Sequence, residues 1–188
     1  MYYQIVNVGK ESLGIIWQYK GSKPQIEQIF LPCTKTELLT KIKKEFPTVI
    51  GKEQKIPGKI AMQIAEFYSG KKIKFDLSVL NLKKLSGFSA KVLKENCKIP
   101  YGKVATYSGL AAKVGSGSAA RAVGTALANN PFPLIIPCHR VIRSDGTLGG
   151  FGGGLKMKKE LLLREGVITD KKGNVSEECI HLSNYYRD

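Results

Sequence analysis

Residues 130–142 read Asn130-Pro131-Phe132-Pro133-Leu134-Ile135-Ile136-Pro137-Cys138-His139-Arg140-Val141-Ile142. Prolines at 131, 133 and 137 forbid an α-helix here, because each lacks an N–H and fixes its own φ. They also push the residues before them toward extended backbone. The expectation is a stiff, extended segment that delivers Cys138, with apolar Leu134, Ile135 and Ile136 before it and Val141 and Ile142 after it. A thiol held rigidly beside an imidazole suits a sulfur nucleophile: the thiolate reacts, and a neighbouring base takes the proton or lowers the thiol pKa. Adjacent side chains on an extended strand point to opposite faces, so His139 is expected to reach Cys138 through a water or a local twist.

The rest of the composition limits what such a thiol can serve. A chain of 188 residues makes one large domain or two small ones, and 43% hydrophobic content implies a packed core. Lys and Arg number 30 against 15 for Asp and Glu, a net charge of +15. That surplus favours polyanions, nucleic acid before membrane. Cys33, Cys97, Cys138 and Cys179 are widely spaced, with no Cys-x-x-Cys pair. The start of the chain shows no basic region followed by an apolar run, and no run is long enough to span a membrane. The reading is an intracellular protein with mostly reduced thiols, cytoplasmic, or nuclear if eukaryotic. The only histidines are His139 and His181, so no zinc-type cluster is expected and no metal is assigned.

Periodicity then divides the chain. Residues 3–8, 14–19 and 25–31 read as strands, with turn chemistry at 20–24. Thr34 and Glu37 fit a capping box for a helix stopped by Pro47. Pro57 can open a second helix ended by Gly70, and Phe75, Leu77 and Val79 alternate like a short strand. A linker is expected near 81–86, then a helix over 89–97 and a turn at 99–102. Thr106 is a candidate N-cap for a helix over 107–114, and another follows from Ser118 to about Ala128. Two short helices joined by a glycine-containing turn suggest a helix-turn-helix, and pattern alone leaves a plain helical hairpin equally open. The second helix is nearly all small residues, with Arg121 in its first half. Close packing explains that by itself. The glycine-rich loop at 148–154 lacks the Gly-Lys-Ser/Thr of a phosphate cradle, so no cofactor is expected. Residues 156–164 read as a last helix stopped by Gly166.

Taken in order, several motifs coincide: Ile99-Pro100-Tyr101-Gly102-Lys103-Val104, Tyr107 with Leu110-Ala111, Ala120-Arg121-Ala122-Val123-Gly124, Asn130-Pro131, Pro137-Cys138-His139-Arg140-Val141, Gly153-Gly154-Leu155 and Glu165-Gly166. This set resembles the O6-alkylguanine-DNA alkyltransferases, repair proteins that move an alkyl group from guanine onto their own cysteine. The resemblance covers residues 85–167. It implies an α/β (α+β) fold: a small N-terminal α/β domain over 1–82 with antiparallel strands, and a mainly helical DNA-binding domain over 83–168 with a winged-helix-like helix-turn-helix. A tail over 169–188 extends beyond it.

The resemblance also implies roles. Cys138 is the nucleophile, His139 its base through water, and Glu165 the acid that orients the imidazole. Asn130 orders the turn before Cys138, and Tyr107 faces the flipped base. Tyr107, Ser108, Ser116, Arg121 and Ser144 would meet DNA through its minor groove, and Leu127, Val141, Phe151 and Gly152 would form the base pocket. Where the family commonly has Tyr-Ser, this chain has Phe151-Gly152, so one hydroxyl contact to the base is lost. The implied partner is double-stranded DNA carrying O6-alkylguanine, with O4-alkylthymine left open, bound by a monomer that transfers once. The competing readings are a non-catalytic lesion sensor, against which Cys138 itself argues, and a cysteine hydrolase.

Overall fold

β-Branched and aromatic residues build the first three strands, β1 (Tyr2–Val8), β2 (Glu11–Lys20) and β3 (Lys23–Cys33). They pair antiparallel in the order β1-β2-β3. Helix α1 (Lys35–Glu45) opens with the expected capping box: the Thr34 hydroxyl accepts from the Glu37 N–H, and the Glu37 carboxylate accepts from the Thr34 N–H. Its buried Leu38 and Ile42 pack with Tyr3, Ile16 and Phe30 in one core cluster.

The computed structural model describes residues 1–85 and 87–182. Ser86, at the expected linker's end, and residues 183–188, the aromatic end of the expected tail, lie outside the described residues. The chain divides into two units, Met1–Leu82 with Pro131–Ile135, and Lys83–Asn130 with Ile136 onward. Within the first unit, the Ile29 N–H donates to the Pro131 carbonyl at 2.8 Å, so residues from the proline segment run beside β3. Leu134 there sits at φ +73°, a left-handed conformation that costs a non-glycine residue about 1–2 kcal/mol.

Two expectations for the first unit are corrected. The second helix, α2 (Ile60–Tyr68), begins three residues after Pro57, because Gly58 at φ +89° interrupts the turn. Residues 75–79 are not a strand. The Asp76 carboxylate accepts from the Ser78 N–H at 2.9 Å and starts a 3₁₀ turn over Leu77–Val79, a local bond that competes with sheet pairing.

The second unit carries α3 (Gly87–Asn96), β4 (Val104–Thr106), α4 (Tyr107–Lys113), α5 (Ala120–Ala128), β5 (Val141–Ile142), α6 (Gly154–Arg164) and β6 (Ile180–Leu182). Thr106 caps α4 as expected, accepting from the Gly109 N–H at 2.9 Å. Helix α5 starts at Ala120, two residues later than expected, with Ala119 as an N-cap that has no side-chain bond to offer. The short strands form a parallel sheet in the order β5-β4-β6, which no sequence period announced. Residues 169–182, expected as a tail, join this unit. Thr169 and Val175 bridge, β6 pairs with β4, and Val175 and Cys179 pack with Val104, Ile142, Leu162 and Val167. The chain is thus a mixed α/β protein. No helix among the described residues is long and apolar enough to cross a membrane.

Candidate active site

Cys138 does not continue an extended strand. Residues Cys138–Arg140 form a 3₁₀ turn after Pro137, whose φ of −82° and ψ of 65° suit an inverse γ-turn. The Cys138 N–H donates to the Ile136 carbonyl and the Arg140 N–H to the Pro137 carbonyl, both at 2.9 Å. Prolines exclude a helix interior, but a short turn that starts after a proline needs no N–H from it. Side chains in such a turn fan out by about 120° per residue, so Cys138 and His139 are not thrown to opposite faces as in a strand. The Asn130 amide donates to the Ile136 carbonyl at 2.9 Å and pins the peptide that leads into the turn.

Glu165 reaches the same place from the end of α6. It is the C-cap, followed by Gly166 at φ +82°. The Gly166 N–H donates to Leu163 and the Val167 N–H to Leu162, the two bonds of a Schellman motif, and Val167 packs with Leu162 in the core. That stop fixes the direction of the Glu165 side chain. Its Oε1 accepts from His139 Nε2 at 2.8 Å and Arg140 Nη2 at 3.0 Å. Its Oε2 accepts from Arg140 Nε at 2.8 Å and from the Gly102 N–H at 3.3 Å. Gly102 has to be glycine: it sits at φ +75°, and a Cβ there would lie 2.9 Å from the Glu165 carbonyl. Arg140 Nη1 also donates to the Ile99 carbonyl at 2.8 Å.

Burial by itself would raise the Glu165 pKa, but the hydrogen bonds from His139 and Arg140 and the Arg140 charge outweigh it and hold the group a carboxylate. A carboxylate only accepts, so His139 Nε2 carries the proton and Nδ1 presents the lone pair. Burial lowers the His139 pKa, with Glu165 opposing and the Arg140 and Lys158 charges assisting. Burial likewise raises the Cys138 thiol, opposed by the Asn130 hydrogen bond, the Lys158 charge and the backbone N–H groups of Cys138 and His139. At rest the thiol and the imidazole are therefore both neutral.

Cys138 lines a cavity of about 390 Å³ together with Tyr107, Gly124, Leu127, Phe151 and Gly152. Val141, expected in its wall, is buried in β5 and is not among the lining residues. A second cavity of about 410 Å³ shares Tyr107, Gly124 and Gly150 and is lined by Ser108, Arg121, Arg143 and Ser144. It gathers four of the five residues expected to meet DNA. Ser116 lies instead in the turn between α4 and α5, where its N–H donates to Ala111. The Tyr107 hydroxyl donates to the Gly150 carbonyl at 3.4 Å. Burial and the nearby Cys138 raise its pKa while Arg143 lowers it, so it stays a proton donor.

Two residues of this site carried no assigned role in the sequence. Arg140 sits inside the quoted motif, yet its partner lies 25 positions away. Lys158 had no signal at all among the lysines of α6. Its buried ammonium donates to the carbonyls of Val141, Leu148 and Gly150 and lies 5.9 Å from the Tyr107 ring centre. Three donors meet three acceptors, so the cation is satisfied while tying β5 and the glycine-rich loop to α6. Burial pushes its pKa down to about 8. Among the described residues no cluster of His, Cys, Asp and Glu could hold a metal ion, and all four cysteines are free thiols.

A mixed α/β scaffold with a cysteine, a histidine–carboxylate pair and an adjoining arginine-lined cavity defines the class in which relatives are to be sought. The model of the 6-O-methylguanine DNA methyltransferase DNA-binding domain matches residues 87–167. A methylated-DNA–protein-cysteine methyltransferase of Saccharolobus islandicus is 45% identical over 107 residues, which cover 54% of this chain and 69% of the relative. The protein of the same name from Methanothermobacter thermautotrophicus is 50% identical over 109 residues, 58% of this chain and 61% of its own length. The chain thus spans about three-fifths of that relative. Among solved structures, Mycobacterium tuberculosis OGT in complex with DNA superposes with a TM-score of 0.66 at 28% identity, covering 88% of this chain and 92% of that one. The chain belongs to the methylated-DNA–protein-cysteine methyltransferase family.

Proposed function

We propose that this protein repairs O6-alkylguanine in DNA by moving the alkyl group irreversibly onto Cys138. The observation that carries the reading is a cavity-lining thiol followed in the chain by a histidine whose Nε2–H is held by Glu165. The lesion base leaves the duplex and enters the 390 Å³ cavity against Tyr107 and Phe151. His139 Nδ1 takes the thiol proton through a water, and Glu165 stabilises the imidazolium that forms. A sulfur lone pair makes the new S–C bond as the C–O6 bond breaks, and that electron pair goes to the purine. The Tyr107 hydroxyl donates a hydrogen bond or proton to the leaving base. The direct test is incubation with DNA bearing a labelled O6-methylguanine. Label on the Cys138 peptide supports the reading, and label released as methanol refutes it.

Helix α5 supplies the DNA contact in this reading, as the second helix of a helix-turn-helix with α4. Its small residues let the backbone approach the minor groove, and exposed Arg121 fills the space left by the extruded nucleotide. Extrusion costs a few kcal/mol of unstacking. Arg121→Ala should therefore slow repair of duplex DNA by about tenfold or more while barely affecting reaction with free O6-benzylguanine. Equal slowing on both substrates would reject the role.

The neutral resting pair sets the pH dependence. Proton loss from the thiol to His139 leaves the pair's proton count unchanged, so the rate should be level between about pH 7 and pH 8. It should fall on the acid side with a midpoint below the ordinary 6.5 of histidine, because burial lowers that group. Single-turnover rates on free O6-benzylguanine check this. A rate climbing tenfold per unit through the neutral range would mean unassisted thiolate and no relay.

A further inference from the structure

Helix α3 buries Val92, Leu93 and Asn96 along one face. An apolar residue at position 96 would continue that stripe, yet the chain has a fully buried asparagine there. Its Nδ2 donates to the Pro137 carbonyl at 3.2 Å. Its Oδ1, equally buried, meets no hydrogen-bond donor among the described residues. A buried amide with an unmatched oxygen lowers stability, so core packing does not explain it.

The geometry points to Asn96 as a positioning residue for the reactive sulfur, holding the Pro137 carbonyl that also closes the turn. The inference rests on the proposed alkyl transfer to Cys138. Two successive carbonyls precede Cys138, and each is taken by an asparagine amide: Ile136 by Asn130 and Pro137 by Asn96. Each carbonyl also accepts one N–H of the turn itself, Cys138 to Ile136 and Arg140 to Pro137. The peptide before Pro137 is thereby held by Asn130, just beyond α5, and the peptide between Pro137 and Cys138 by Asn96, at the end of α3. That peptide aims the Cys138 N–H, and the next one the His139 N–H, which favour the thiolate. A swivel here moves those donors and the sulfur together, and small displacements of a nucleophile cost large factors in rate.

Asn96→Leu separates this role from a structural one. The substitution removes the donor and the unmatched Oδ1 together, and the Pro137 carbonyl keeps the Arg140 N–H. The melting temperature should stay level or rise, since a leucine also suits a helix better than an asparagine. Methyl transfer should nevertheless slow by about tenfold. Iodoacetamide alkylation of Cys138, followed on its peptide from about pH 6 to 10, should shift to higher pH. The Asn130 amide, Lys158 from α6, Tyr107 from α4 and the His139 N–H act on the same sulfur and are common to both proteins, so the shift isolates the Asn96 amide. Asn96→Ala removes the same donor with less bulk and should give the same shift if the leucine variant folds poorly. An unchanged alkylation profile with a transfer rate within about twofold of wild type, in whichever variant folds, overturns the inference. Loss of transfer in the wild type would sink the proposed function, while the alkylation profile would still decide the role of Asn96.

Discussion

Cys138→Ala is expected to abolish alkyl transfer completely while DNA affinity stays within about twofold of wild type. The substitution removes one sulfur from a cavity wall and leaves Arg121, Ser108 and Ser144 around the neighbouring cavity untouched. In the proposed function, chemistry and affinity therefore fall to different side chains. The unsubstituted protein, given excess oligonucleotide with O6-methylguanine, should in turn reach a plateau at or below one methyl per chain. A methyl thioether has no good leaving group, and neither Cys33, Cys97 nor Cys179 lines the cavity to resolve it. Burial also pushes the Cys97 thiol up to about 11, so it is a poor second nucleophile. Mass spectrometry of the Cys138 peptide and counting of transferred label check both statements. Turnover beyond one equivalent would favour a hydrolase. Lost DNA binding in the alanine variant would show that the thiol supports the interface.

What could be read before the structure was whatever a local signal encodes. The Thr34–Glu37 box, the Thr106 cap and the Gly166 stop each act within one helical turn, and all three appear where expected. The three N-terminal strands follow from their own composition. The turn at Cys138 was misread because proline rules describe what a backbone cannot do, and a three-residue turn lay within what remained. The Phe75–Val79 alternation was real, but one Asp76 hydrogen bond outweighed it. Lys158 carries no sequence signal because the carbonyls that make its burial tolerable come from positions 141, 148 and 150, brought together only by the fold. Arg140 is visible as a letter in a motif, but its pairing with Glu165 depends on the α6 stop. The resemblance points to Cys138, His139 and Glu165 as a set, and the fold does bring His139 and Glu165 into hydrogen-bond contact. The bonds of Arg140 and Gly102 that complete that contact have no counterpart in any local signal.

Glu165→Gln should be the most damaging change outside the sulfur itself. The carboxylate accepts from His139 Nε2, Arg140 Nε, Arg140 Nη2 and the Gly102 N–H. All four are donors. A glutamine supplies one acceptor oxygen, and its NH₂ must then face a donor on one side or the other. The buried Arg140 charge also loses its counter-ion, and breaking a buried pair in this way typically costs about 3–5 kcal/mol. Transfer should fall by roughly 10²–10⁴-fold, because the imidazolium formed during attack has no carboxylate to stabilise it. The pH dependence of stability gives a separate check. The folded Glu165 pKa lies below its ordinary value, so the unfolded chain binds more protons there in acid. Wild-type stability from this group is then complete above the ordinary carboxylate range and is lost as pH falls through the folded value. The variant should lack that part of the acid limb. Urea unfolding at a series of pH values, beside single-turnover transfer on O6-benzylguanine, measures both. If Glu165→Gln unfolds within about 0.5 kcal/mol of wild type, or transfers at more than a tenth of its rate, the carboxylate is not what holds this site together.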